Sequence, residues 1–210
     1  MKQLTTNYVE VEDESYKQMF QIRGEEENFS AKTVRFKPYA KVNKIIERDA
    51  SDPSIVVNET IFFEGVAKGR PIPDKLGGNA CGRVFPAWQN GELLTDEQKE
   101  AQKNKKWYDY LFGEVYFDKY PPVLVNLRLT GRLGMHFSSY LKNLGRDNGK
   151  WPSTVFELTV RGMKGKPQFA EIDITVAQGG LKLEGTEEVF QLITSYIQEH
   201  NDNITGNLDA

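Results

Sequence analysis

Leu111-Phe-Gly-Glu-Val-Tyr-Phe117 and, after a short connection, Pro121-Pro-Val-Leu-Val-Asn-Leu-Arg-Leu-Thr130 decide how this chain folds. In the first run Leu111, Val115 and Phe117 alternate with Phe112, Glu114 and Tyr116. In the second, Val123, Val125, Leu127 and Leu129 alternate with Leu124, Asn126, Arg128 and Thr130. A period of two places one set on a core and the other on the opposite face of a strand. Pro121 and Pro122 sit in the connection, so the two runs predict a β-hairpin. The same alternation returns downstream. Phe156, Leu158 and Val160 interleave with Glu157, Thr159 and Arg161, and Ala170, Ile172, Ile174 and Val176 interleave with Glu171, Asp173 and Thr175. The basic, glycine-containing loop from Gly162 to Pro167 joins this second pair. Upstream, Val34 and Phe36 alternate with Thr33, Arg35, Lys37 and Tyr39, and Pro38 predicts an edge position or an early strand end. Residues 55–66 are β-rich but alternate poorly, as one bent strand or two short ones would.

Helical signals lie between and after these pairs. Thr95-Asp-Glu-Gln98 is a capping-box pattern, with acids in the first turn and Lys103, Lys105 and Lys106 near the end. Leu133, Phe137, Tyr140, Leu141 and Leu144 recur at helical spacing. So do Val189, Leu192, Ile193, Tyr196 and Ile197 after Thr186 as N-cap. Glycines and prolines break residues 67–92 into loop. The order of strands, helix, hairpin, helix, hairpin and helix has no βαβ rhythm. It predicts a mainly β chain with a few helices (α+β) and a mostly antiparallel sheet or small barrel. A helix between two hairpins suits a five-stranded Greek-key barrel of the OB type. The expected organisation is an acidic arm over residues 1–30, with a short element near Tyr16–Ile22. A single OB-like domain follows over 31–200, carrying a loop and helix insertion at about 67–106, and then a polar tail over 201–210.

The chain has 210 residues, 39% hydrophobic and 27% charged, as a soluble globular protein does. No apolar run reaches the roughly 18 residues of a membrane span. Cys81 is the single cysteine, which excludes an internal disulfide and points to a reducing cytoplasm. With His136 and His200 the only histidines, a Cys/His zinc site within one chain is excluded. The net charge of −3 is unevenly spread: residues 1–30 carry −4, residues 171–210 carry −7, and residues 31–170 carry +8. A basic body between acidic ends attracts polyanions, and the ends compete for the same face.

The chain shows no phosphate-binding loop, no Gly-x-Ser-x-Gly elbow and no His-Glu-x-x-His. Cys81 has no sequence partner and reads as buried and inert. Glu171 and Asp173 lie on one strand face about 7 Å apart. With Lys164 and Lys166 nearby they keep a metal-dependent nuclease in view, although a solvated strand face is the plainer reading. The stronger pattern is cations interleaved with aromatics on the outward strand faces. Arg35, Lys37, Arg128, Arg132, Arg161, Lys164 and Lys166 would neutralise phosphates, and Tyr39, Phe112 and Tyr116 would stack on bases. That combination binds single-stranded nucleic acid without strong sequence choice, each stacked base contributing about 1–3 kcal/mol.

The quoted hairpin also resembles the central hairpin of phage-encoded single-stranded DNA-binding proteins of the OB-fold kind. There a glycine-containing strand leads through a short acidic or proline turn into a Pro-Val-Leu-Val strand and then a helix. The likeness covers roughly residues 107–176. It implies a non-enzymatic, cofactor-free protein that coats exposed DNA during replication, recombination or repair in the host cell cytoplasm. It also implies that acidic ends recruit replication or recombination proteins. The tail departs from that pattern, because Asn201–Ala210 has two acids and no terminal Phe. A homo-oligomer is compatible with the sequence. The rival to strand binding is a virion structural or protein-interaction module that uses the aromatics for assembly.

Overall fold

The computed structural model describes residues 2–12, 15–23, 29–65, 72–79, 81, 88–89, 92–117, 120–148, 154–163, 166–177 and 186–206. In chain order these form β1 (Lys2–Glu12), β2 (Ser15–Arg23), β3 (Phe29–Ala31), β4 (Thr33–Arg48), β5 (Val56–Glu59), β6 (Trp88–Gln89) and β7 (Glu92–Leu93). Then come α1 (Asp96–Gln102), β8 (Lys105–Phe117), β9 (Tyr120–Thr130), α2 (Gly131–Asn148), β10 (Phe156–Met163), β11 (Lys166–Val176) and α3 (Thr186–Gly206). The fold is mainly β with helices, as the alternation predicts. Its main sheet runs β11-β10-β4-β8-β9-β1-β2-β3, with β5 also on β4, and β6 pairs with β7 in a small second sheet. Pairing is antiparallel within the β10–β11 hairpin and between β10 and β4, whereas β1 joins β9 in parallel through Lys2–Leu4. The hydrogen-bonded path ends at β11 and β3, so the sheet is not closed among the described residues.

The chain divides into two compact units, Met1–Lys41 with Tyr110–Phe190, and Val42–Asp109 with Gln191–Ala210. In the first, β2 lies against β10 and β11, so the sheet curls around one apolar cluster. Phe20, Val34, Phe36, Leu111, Val115, Val125, Leu127, Leu129, Phe156, Leu158, Val160 and Ile172 supply it from the strands, and Phe137 and Leu141 supply it from α2. Apart from Phe20, the strand residues are the alternating positions read from the sequence, and Phe137 and Leu141 are among those read at helical spacing. Each such side chain contributes about 1.5–3 kcal/mol by leaving water. Phe156 is held edge-on by Phe137 and Tyr140, with centroids 6.2 and 5.9 Å apart. Gly113 lets β8 pass close to β4: a Cβ there would stand 2.2 Å from the Lys37 carbonyl oxygen and 2.7 Å from the Phe36 ring.

In the second unit Ile45, Ile72 and Cys81 form a smaller core with Ile61, Phe63 and Trp107 packed on it. Asp74 is buried and gathers the loop around itself, its carboxylate accepting from the backbone N–H groups of Leu76, Gly78 and Cys81. Burial pushes the Cys81 thiol up to about 12, against its ordinary value of 9.0. The C-terminal part of α3 is fastened by polar groups. The Asn201 side chain accepts from Phe62 N at 2.7 Å and donates to Phe62 O at 3.1 Å. His200 Nε2 stands 2.7 Å from the buried Lys44 ammonium, which pairs with Glu59 at 2.5 Å. Burial and the Lys44 charge lower the His200 pKa to about 4.

Four expectations about organisation change. Residues 1–30 are not an appendage: β1, β2 and β3 belong to the main sheet, and Phe20 is part of the core. Their acids mask the strand pattern in sequence, and pairing with β9 supplies what local propensity does not. Where one domain is expected over 31–200, the chain clusters into two compact units, and β4 and β8 each contribute residues to both. The strands of the second hairpin extend into the expected 162–167 loop, to Met163 and from Lys166. Residues 201–206 are helical rather than tail, since Asn201 and the buried Ile204 anchor the last turns. The capping box is formed: the Thr95 hydroxyl accepts from Gln98 N and the Gln98 side chain accepts from Thr95 N.

Candidate nucleic-acid interface

The face turned away from the first unit's core is built from three neighbouring strands. On β4 it carries Arg35, Lys37 and Tyr39; on β8, Tyr110, Phe112, Glu114 and Tyr116; on β9, Asn126 and Arg128. Alternation fixes this set, because Val34, Phe36, Leu111, Val115, Val125 and Leu127 all enter the core.

Glu114 organises the set. One of its carboxylate oxygens accepts from the Tyr39 hydroxyl at 2.6 Å and from the Tyr116 hydroxyl at 2.8 Å. Both phenols are thereby held well above their ordinary pKa, first by burial and then by this shared carboxylate. The Lys37 ammonium lies 4.4 Å from the centroid of the Tyr39 ring. Burial lowers the Lys37 pKa, and the Glu114 charge opposes that shift. The result is a compact network of one cation, one anion and two phenols.

Burial redistributes the expected roles. Phe112 is 0% exposed and stacks beside Tyr110, with centroids 6.4 Å apart, so it cannot be a stacking platform for a base. Tyr39, at 6%, is sealed with its hydroxyl on Glu114. Lys37, at 1%, cannot reach a phosphate; its charge is spent within the network. The alternation that assigns these residues to the outer face is right, but that part of the face is covered.

Three of the expected residues are half-buried and reach the surface: Arg35, Tyr116 and Arg128. Arg35 stands across from Glu157 in the β4–β10 register. Arg161 is exposed but already engaged. Its Nε donates to Asp173 at 2.7 Å and its Nη1 meets Glu171 at 2.9 Å. Those are the two carboxylates that suggest a nuclease pair, and here they serve as counter-ions of a cross-strand arginine. Lys164 lies outside the described residues, as do the side chains of Arg132 and Lys166. The described residues bring together no cluster of three metal-ligating side chains.

Two residues in this region carry more than the sequence suggests. Glu114 is the hub, and its signal was a lone acid among the aromatics and aliphatics of Leu111–Phe117. Asn126 is buried at 9% exposure, and its Oδ1 has no hydrogen-bond partner. A buried unpaired amide oxygen is rare and costs about 1–3 kcal/mol. Its signal was a polar residue flanked by core valine and leucine. Compared with protein-family models, curated proteins and solved structures, the chain matches none.

Proposed function

We propose that the protein binds single-stranded DNA, without a chemical step, on the β4–β8–β9 face of its first unit. The observation that carries this reading is compositional. On three adjacent strands, the side chains turned from the core are three cations (Arg35, Lys37, Arg128), four aromatic rings (Tyr39, Tyr110, Phe112, Tyr116) and the Asn126 amide, with one acid, Glu114, and one aliphatic, Leu124, among them. The buried Lys37–Tyr39–Glu114 network forms the floor, and it fixes the Tyr116 ring through its hydroxyl. A ring held in one orientation loses little freedom when a base stacks on it. Arg35 on β4 and Arg128, further along β9 from the turn, serve as phosphate partners on the same face. The unpaired Asn126 oxygen, on the same face, is a polar group retained at a cost to stability, as binding sites retain them. On this reading the curled sheet with α2 is an OB-like body opened by its extra strands, and the process served is phage replication, recombination or repair.

Titration of a fluorescent oligothymidylate tests it. Binding is expected at low salt and weakens as salt rises. Tyr116→Ala weakens binding with an unchanged salt slope, whereas Arg128→Ala weakens binding and reduces the slope by about one phosphate contact. No binding at low salt sinks the proposal.

A second reading has its own support. Ile55, Val56 and Val57 are exposed by 52, 39 and 40% at the start of β5. An uncovered apolar edge invites pairing with another chain, as an assembly module would use it. Sedimentation that shows self-association, with no oligonucleotide bound, favours that reading.

A further inference from the structure

The middle of the β4–β8–β9 face carries an acid, which phosphate neutralisation does not account for. Glu114 lies on β8, the central strand of the three, whereas the half-buried Arg35 and Arg128 lie on the strands to either side. One Glu114 oxygen accepts from both phenols. The other meets no donor among the described residues, and the side chain is only half-buried. On the neighbouring β9, Asn126 Oδ1 is a second oxygen without a donor. Both oxygens accept hydrogen bonds and neither can donate one.

A carboxylate repels phosphate, so a strand that crosses β8 turns its backbone toward the arginines and its bases toward Glu114. Tyr116 brings a base edge there. Its hydroxyl is 2.8 Å from the carboxylate, so a base stacked on the ring has an edge beside Glu114. That edge has to carry a donor. Cytosine, adenine and guanine each carry an exocyclic amino group, and acidic side chains accept from cytosine N4. Uracil and thymine carry a carbonyl oxygen where cytosine has its amino group. Their N3–H stands between two carbonyls, and both repel a carboxylate. We propose that Glu114 is a specificity-determining residue of this face, and that it favours bases bearing an amino group over uracil and thymine.

This inference rests on the strand-binding reading and narrows it. Stacking alone accepts every base, because each has a π-face. An acceptor at the edge of the stacking ring adds a choice between classes of base without selecting a single one. A ribose 2′-hydroxyl is the other donor that an unpaired strand can offer, and the test separates it from the amino group.

The full chain is titrated at slightly alkaline pH with oligodeoxyuridylate, oligodeoxycytidylate and a cytosine strand whose amino groups are dimethylated. Uracil and cytosine differ only at N3 and C4, so the stacking and phosphate contributions are shared. The cytosine strand is expected to bind roughly tenfold more tightly than the uracil strand, as a hydrogen bond to a charged group gives. Dimethylation removes that gain. Glu114→Gln, which keeps an acceptor for the phenols and presents an amide N–H beside it, removes the preference. Arg128→Ala weakens both strands and leaves their ratio unchanged. Thermal melts check that each variant is folded, and the modified strands test the parent itself if Glu114→Gln is not. Oligoribouridylate is the arm for the 2′-hydroxyl. Equal affinity for the uracil and cytosine strands overturns the proposal. So does a preference that survives dimethylation or Glu114→Gln, or a gain from ribose as large as that from the amino group. Uracil and thymine strands lack the amino group, so their binding with no preference for cytosine leaves strand binding standing. If no strand binds, both readings fall.

Discussion

Gly113→Ala tests the close approach of β8 to β4, on which both the core and the outer network depend. The added methyl would lie 2.2 Å from the Lys37 carbonyl oxygen and 2.7 Å from Cε2 and Cζ of Phe36. The Phe36 ring is fully buried and can swing only at the expense of its neighbours. The carbonyl belongs to a strand backbone and cannot rotate away. To reach even 3.0 Å, the two strands must separate locally by at least 0.8 Å, against an ordinary spacing of about 4.8 Å. That strains the ladder and pulls Glu114 from Tyr39. The cost belongs at the top of the range for overpacking, about 3 kcal/mol, which for a chain of this size lowers Tm by about 6–12 °C. Thermal unfolding followed by far-ultraviolet circular dichroism reads it. Two companions isolate the cause. Phe36→Leu combined with Gly113→Ala relieves the ring but not the carbonyl, so recovery is partial. Gly65→Ala has empty space around its Cβ but a φ of +75°, so it costs about 1–2 kcal/mol through the backbone alone. If Gly113→Ala melts within a degree of the parent, the strands are not as close as described, and the network above them loses its support.

Three further expectations concern buried polar groups. His200 has a folded pKa of about 4 against 6.5 unfolded, so its contribution is complete above pH 6.5 and is lost as pH falls toward 4. Solvent screening of the half-buried ring reduces the loss to about 1–2 kcal/mol, and in His200→Gln the fall in Tm over that window should be correspondingly shallower. Asn201→Ala removes both hydrogen bonds to the Phe62 backbone and should cost about 1–3 kcal/mol in urea unfolding; an unchanged midpoint would mean that α3 is not anchored there. Asn126→Val removes an unsatisfied buried oxygen and should raise Tm while weakening oligothymidylate binding, whereas a more stable variant that binds like the parent would show that Asn126 has no part in the interface.

Much of the scaffold was legible because it rests on local signals. The period-two runs that end in Leu129, Val160 and Val176, the Thr95–Gln98 box and the helix from Thr186 are all properties of neighbouring residues. The candidate site was only half legible, for a physical reason. Alternation states which face a side chain takes, not whether that face is covered. It placed Lys37, Tyr39 and Phe112 opposite the core, and they are there, but coverage is decided by segments distant in sequence. The partner of Tyr39 is Glu114, on a strand brought alongside by the sheet. The engagement of Arg161 was not legible, since a hairpin closed at Met163 and Lys166 would set Arg161 opposite Gln168, and the register shift beside Gly162 brings Glu171 across from it instead. The strands of residues 1–30 were hidden because acidic side chains lower apparent strand propensity where pairing restores it.

These corrections change what salt should do to binding. Seven cations read as phosphate partners predict a slope of log affinity against log salt of about −5, at roughly 0.7 per phosphate on a single strand. The structure withdraws two of them. Lys37 is buried over Tyr39 and faces Glu114, and Arg161 is held by two carboxylates. The five that remain set a ceiling near −3.5. Arg161→Ala should therefore leave both affinity for oligothymidylate and the slope unchanged, because the ion pairs it makes are internal and its own charge is already met. Arg35→Ala and Arg128→Ala should each reduce the slope by about 0.7. A parent slope steeper than about −3.5, or a slope lowered by Arg161→Ala, would place the strand across the β10–β11 hairpin instead of β4–β8–β9. In that case Glu171 and Asp173 would have to release Arg161 to the phosphates.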